Sequence, residues 1–359
     1  MKTVSRVILS AILLVLTGLM IAAAKAIPEV VFSFYPDFSS GVLGFLSKIT
    51  SPFPFALWEV LVLLLVLWVI YTLVQCFRKH RGFVCWLSGV LLGFCAGLMI
   101  FVAIWGLGHF GPSVGERIGL ETRPYTTQEL YDAAAYYAGE ANTYAAQVSR
   151  DADGVADFQS FSTLAAEAPR ACQALPALWG SDEEVSTARV KRLTAWQLYS
   201  YAGVTGIFVP FTGESSVNPD TFVVSLPFTM CHEVAHRLGF PAEDDANFCA
   251  YLACSASDSI EFRYSGSYSA FVYCYNALYA VDRELAAEIW NMASEQLQAD
   301  CRAANAHYEP YEGTVQDAAQ KVNDTYLKAF DQEEGVQSYG AVADYLIAWY
   351  LSGRSVQAG

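Results

Sequence analysis

The chain has 359 residues, 54% of them hydrophobic, and a formal net charge of −15. So large an apolar fraction points to membrane-embedded segments, and so negative a balance argues against nucleic acid as a partner, since phosphate binding needs a basic face. The charge is also unevenly divided: residues 1–109 carry +4 and the remainder −19, the pattern of a membrane anchor followed by an acidic, water-exposed part.

Three apolar runs, about Val7–Ala24, Phe55–Phe77 and Phe83–Phe110, are each long enough to cross a bilayer, which takes about 20 helical residues. Only Glu59 interrupts the second, close to its start. Lys2 and Arg6 precede the first run, and "RKHR" (Arg78–Arg81) links the second to the third. By the positive-inside rule both of these ends face the cytoplasm. A multi-pass protein of the cell membrane follows, with a cytoplasmic N-terminus, the lipid bilayer as its first partner and everything after the third run outside. "AKA" (Ala24–Ala26) resembles a signal-peptide cleavage site; cleavage there would leave that sidedness unchanged, and retention is the favoured reading. The expected division is a membrane anchor over residues 1–112, a connector over 113–127 and an extracytoplasmic domain over 128–359.

Nine cysteines are present, six of them beyond residue 112. Those six are enough for three disulfides in an oxidising compartment, or they stay as buried thiols; the sequence leaves both open.

Along the exterior part, "TQELYDAAAYYAGEANTYAAQV" reads as a helix with an acidic first turn. "DEEVSTARVKRLTAWQLYSYAG" (Asp182–Gly203) reads as a second helix. "GIFVPFTG" (Gly206–Gly213) and "TFVVSLPF" (Thr221–Phe228) read as two strands joined by the polar run between them. Further helices are expected over Ser265–Tyr279, Asp282–Ala303, Gln316–Phe330 and Ser338–Tyr350. The fold class is α+β, mostly helical, with a small β-sheet.

The chemistry concentrates in "TMCHEVAHRLGFPAEDDANF" (Thr229–Phe248). A helix that starts near Pro227 and stops at Gly239 puts His232 and His236 one turn apart on one face. Two imidazoles at that spacing can hold one zinc ion, Zn2+, and Glu233 between them is placed to reach a water beside it. The plain alternative is a helix carrying two solvent-exposed histidines. A catalytic zinc takes three protein ligands. Few other histidines exist, and His109 sits at the membrane edge, so a carboxylate is the better third ligand. Glu243, Asp244 and Asp245 all open the next helix, where carboxylates also suit the positive helix end. Any one of the three can serve.

"HEVAH" followed by "EDDAN" resembles the gluzincin pattern, in which a helix bearing E-x-x-A-D follows the HExxH helix. By position the resemblance implies Glu243 as the third ligand, with Asn247 where the pattern has an Asp holding a ligand histidine. An amide there can accept the imidazole N–H but lacks the charge that raises ligand basicity. The short gap between His236 and Glu243 also departs from many gluzincins. Across nearly the whole chain, "GIFVPFTGE", "LPFTMCHEVAHRLGF", "EDDANFCAYLAC", "YSG" and "GVQSYG" resemble the bacterial membrane family catalogued as domain of unknown function thirty-eight ten. That resemblance implies three transmembrane helices followed by an extracytoplasmic zincin-like (gluzincin) domain. The expected activity is a membrane-anchored zinc metallopeptidase that hydrolyses a peptide or protein substrate at the outer membrane face. Glu233 is its expected general base, "TFVVSLPF" the strand that pairs with substrate, and Tyr339 in "QSYG" a candidate oxyanion partner by residue type. The competing expectation is a sensor or binding protein that uses the same zinc fold without catalysis.

Overall fold

A computed structural model describes residues 3–79, 82–181, 184–329 and 339–354. Among the described residues three helices are long and apolar enough to cross a membrane: α1 (Thr3–Ala26), α4 (Leu57–Arg78) and α5 (Phe83–Ile104). His80 and Arg81 of the basic link lie outside the described residues. α1 runs beside α5 in the same direction. At one end Arg6 donates to the Cys85 carbonyl at 2.9 Å, and at the other the Lys25 ammonium lies 4.9 Å from the Phe110 ring centre. The third apolar run is shorter as a helix than its composition implies. α5 stops at Ile104, whose carbonyl accepts from Ser39 at 2.7 Å, and Gly106–Phe110 forms a separate 3₁₀ turn.

The stretch between the first two apolar helices is itself helical. It holds α2 (Pro28–Phe32) and α3 (Tyr35–Thr50), each with Pro in its first turn, where a missing N–H costs nothing.

After the short α6 (Val114–Arg117), α7 (Thr127–Ala145) begins with a reciprocal cap. The Thr126 side chain accepts the Glu129 N–H while Glu129 accepts the Thr126 N–H. α8 (Phe161–Ala171) and α9 (Leu175–Leu178) follow. The helix expected over Asp182–Gly203 is not formed. Asp182 and Glu183 lie outside the described residues, and the chain after them is extended, ending in β1 (Lys191–Arg192) and the short α10 (Trp196–Tyr201). Ala188 and Val190 point inward with Arg189 exposed between them, the period of two that extended chain requires.

The sheet has three strands in the order β1-β3-β2, with β2 at Gly206–Val209 and β3 at Glu214–Val217. β2 and β3 are antiparallel, Gly206 facing Val217 and Val209 facing Glu214; β1 joins β3 in parallel. The expected pairing of "GIFVPFTG" with "TFVVSLPF" is therefore corrected. The partner strand comes from the polar run, and "TFVVSLPF" supplies a 3₁₀ turn and the start of α11 (Leu226–Arg237), with Pro227 in its first turn. Long-range partners explain the error, because β3 is polar yet buried. Glu214 pairs with Lys191 at 2.7 Å and accepts the N–H groups of Leu57 and Trp58 at 2.9 Å each, capping α4. Ser215 donates to the Glu233 carbonyl at 2.7 Å, and Ser216 accepts from the Trp58 indole at 3.1 Å.

Past the sheet come α11, α12 (Glu243–Ala256), α13 (Ile260–Val281), α14 (Arg283–Met292), α15 (Glu295–Tyr308), α16 (Thr314–Ala329) and α17 (Tyr339–Leu351). The single helix expected over Asp282–Ala303 is broken in two, because the Ser294 side chain caps a fresh start by accepting the Leu297 N–H. α13 is the central helix and packs along α7, α11 and α12, with Phe248, Leu252, Phe262, Tyr264 and Tyr137 fully buried between them. The architecture is mostly helical with one small sheet. None of the nine cysteines is in a disulfide, and the six beyond residue 112 are buried.

Candidate metal centre

α11 and α12 form a tight antiparallel pair because Gly239 takes φ +90°, a left-handed conformation that L side chains rarely adopt, and so lets the chain reverse before Pro241. The reversal sets the first turn of α12 against the last turns of α11. His232, His236 and Glu243 meet there, with their ligand-type atoms all within 4.8 Å of one another, a group able to hold a metal ion. Both histidines are largely buried, so they are not the solvent-exposed side chains of the plain alternative.

The second nitrogen of each ring is spoken for. His236 Nδ1 lies 2.7 Å from the Phe240 carbonyl oxygen, which can only accept, so Nδ1 carries the proton and Nε2 presents a lone pair. His232 Nδ1 lies 2.9 Å from Asn247 Oδ1, which orients that ring in the same way. Both Nε2 atoms then face the Glu243 carboxylate, at 3.3 Å for His232 and 3.8 Å for His236. Ligand atoms about 2.0–2.1 Å from one tetrahedral ion stand roughly 3.3 Å apart. Two imidazole nitrogens and one carboxylate oxygen, all within 4.8 Å of one another, are a donor set of the kind zinc takes. Asp245 is turned away; it accepts from the Val114 N–H and the Tyr345 hydroxyl at 3.0 Å each.

Charge in the group is arranged for a cation. Burial works against the charged form of His232, but the hydrogen bond and charge of Glu243 outweigh it and raise that imidazole to about 9. Glu243 falls to about 2 despite its burial, held by the His232 hydrogen bond and by the charges of His232, His236 and His109. Burial lowers His236 to about 4, and the neighbouring His232 charge adds to that. A positive charge between His232 and Glu243 is what this pocket favours, and a metal ion can take the proton's place.

Glu233, buried on the same helix, differs from these three. Its Oε2 has no hydrogen-bond partner among the described residues, and burial raises its carboxyl to about 8, with the His232 charge opposing and Glu243 adding. β2 passes directly over it, so close that a Cβ at Gly206 would collide with the Glu233 carboxylate. β2 is also a free edge of the sheet. It therefore takes the position beside the site that sequence reasoning gave to "TFVVSLPF".

Two neighbours were not placed here by the sequence reading, which did not single out Trp105 and set His109 aside at the membrane edge. Trp105, the residue after α5, donates its indole N–H to the His236 carbonyl at 3.3 Å, and its ring centre lies 6.1 Å from that imidazole. His109 stands 5.3 Å from Trp105, ring to ring, and burial and the charge of His236 lower it to about 4, with Glu243 opposing. Both come from the end of an apolar helix more than a hundred residues away in sequence; the one available signal was that His109 belongs to a chain with only five histidines. Tyr339 opens α17, and its side chain lies outside the described residues, as do residues 335–338 of "GVQSYG".

A search of curated proteins found no match, and a search of solved structures found none either. A family model described as protein of unknown function (DUF3810) matches residues 34–347, from the residue before α3 into α17, and the chain belongs to that family.

Proposed function

We propose that this chain is a membrane-anchored, zinc-dependent metallopeptidase with a zincin-like domain on the outer face of the membrane. The reading rests above all on one observation. A buried carboxylate with an unpartnered oxygen, Glu233, stands beside a three-residue group of metal-ligand chemistry. Buried polar atoms are nearly always paired, so an unpaired one beside such a group signals chemistry. His232, His236 and Glu243 would hold the ion, which when bound supplies a Lewis acid that polarises water and a peptide carbonyl.

The remaining roles belong to the protein's own groups. Glu233 takes a proton from the attacking water and returns it to the leaving amine. Asn247 and the Phe240 carbonyl keep the two imidazoles in one orientation. The free edge of β2 pairs with an extended peptide and lays its scissile bond over Glu233. Gly206 leaves the room this requires. The sidedness rests on Arg6 and Arg78 at the opposite ends of the apolar helices from the site.

The test is hydrolysis of a mixed peptide library by the full chain, wild type against Glu233→Gln. The variant is isosteric and should retain metal while losing about 10³-fold in kcat. A variant that cleaves as well as wild type removes Glu233 from the role.

A further inference from the structure

α3 is built inside out. Its buried face carries Tyr35, Ser39, Ser40, Leu43, Ser47 and Thr50, while its exposed side carries a stripe of Phe38, Phe45 and Ile49, at 48%, 63% and 53% exposure, with the exposed charges of Asp37 and Lys48 beside it. The inward serine and threonine hydroxyls are satisfied by specific partners. Ser39 donates to the Ile104 carbonyl at 2.7 Å, Ser47 bonds Ser186 at 2.7 Å, and Thr50 donates to the Thr212 carbonyl at 3.2 Å. A helix lying between protein and water places its apolar side inward. This helix places its hydroxyls on the protein and its phenylalanines away from it, which is stable only if the outer side meets something apolar.

The neighbouring elements identify that medium. α3 leads through Phe53 and Phe55, each 40% exposed, directly into α4, and its Ser39 is bonded to the last residue of α5. Its apolar stripe is therefore continuous with the membrane-facing surface of the apolar helices. The 22 residues of α5 span about 33 Å at 1.5 Å per residue, close to the roughly 30 Å of a bilayer's hydrocarbon core. Trp105, where that length ends, donates to the backbone of His236. The candidate metal centre is thus one side chain away from the level at which the hydrocarbon stops. Pro241, in the turn between the two site helices, lies against Gly108 just beyond it; a Cβ there would come within 3.1 Å of the proline ring.

We propose that α3 lies in the membrane–water interface with Phe38, Phe45 and Ile49 among the lipid chains, and that the centre works at the bilayer surface on peptide segments tethered to that same membrane. The substrate clause rests on the peptidase reading above; the placement of α3 does not. An interfacial helix next to the site fixes its height over the lipid, so a scissile bond close to a membrane anchor can reach β2 and one held far above cannot.

The first arm of the test reads placement without activity. Cys85 is the one exposed native thiol, so a Cys85→Ser background of the full chain accepts a single label. A fluorophore at Phe45→Cys or Ile49→Cys, in phosphatidylcholine vesicles, should be strongly quenched by spin-labelled phosphatidylcholine. The same fluorophore at Met292→Cys, exposed on α14, which packs on α7 and α13, should not. Equal, weak quenching at all three positions overturns the placement. The second arm compares lipid-anchored peptides whose cleavable segment lies next to the anchor or beyond a proline-rich spacer of about 20 residues, roughly 60 Å long. Only the short form should be cut, by at least about tenfold over the long one, a preference that confinement to the vesicle alone does not produce. Equal cutting of both overturns the substrate class. If neither is cut faster than by Glu233→Gln, the peptidase reading fails and takes the substrate clause with it, while quenching still decides where α3 lies.

Discussion

Two of the buried clusters of charged side chains are finished to different degrees. Around Asp300 every acceptor is used. Arg150 donates to both carboxylate oxygens at 3.1 and 3.0 Å, the Ala156 N–H adds a bond at 2.9 Å, and the Tyr264 hydroxyl supplies another. Around Glu233 the account stays open, with one buried oxygen unpartnered beside His232, His236 and Glu243. A satisfied buried network holds a fold together, whereas an unsatisfied one costs stability and persists where it serves a ligand or a reaction. The first cluster ties α13 and α15 to the loop after α7; the second lies between β2 and the α11–α12 pair.

That contrast can be broken from either side. The largest effect on folding is expected at Asp300. Asp300→Ala strands the Arg150 guanidinium and should cost about 3–5 kcal/mol, read as a lowered denaturation midpoint in detergent, with zinc per folded chain unchanged. A variant as stable as wild type would show that this cluster does not carry the fold. Asn247→Ala should act the other way round. Removing the acceptor on His232 should weaken metal binding by about 10- to 100-fold with little change in stability, as titration against a competing chelator would reveal. An unaltered affinity would mean that Asn247 does not orient that imidazole. The smallest effect belongs to neither cluster. Thr126→Ala removes the cap of α7 and should cost about 1 kcal/mol, leaving metal affinity unchanged; any loss of metal there would mean that the two regions are coupled.

What was readable in the sequence follows the range of the interactions involved. The apolar helices were legible because hydropathy and length are local properties. So was the helix pair of the candidate metal centre, where the HExxH spacing, the Gly239–Pro241 reversal and the acidic start of α12 lie within twenty residues. Among three neighbouring carboxylates, however, sequence spacing alone did not choose; the packing of α12 aims Glu243 at the histidines and Asp245 at Val114. β3 was missed because Glu214, Ser215 and Ser216 look like loop residues until Lys191, Trp58 and the Glu233 carbonyl are brought to them. α3 was missed for the opposite reason. Its serines point into the protein and its phenylalanines out of it, a pattern that hydropathy along the chain does not reveal and that the interfacial placement proposed above accounts for.

The central claim is that Thr229–Phe248 builds a three-ligand zinc site, and metal content tests it most directly. The full chain should be used, because α3, Glu59 and the start of α4 are bonded into the folded body through Ser186, Thr194 and Glu214. Elemental analysis of the detergent-solubilised wild type should give one zinc per chain, and Glu243→Ala should lose it at chelator concentrations that the wild type withstands. A wild type that takes up no zinc after reconstitution, or a Glu243→Ala variant that holds it equally well, would contradict the account.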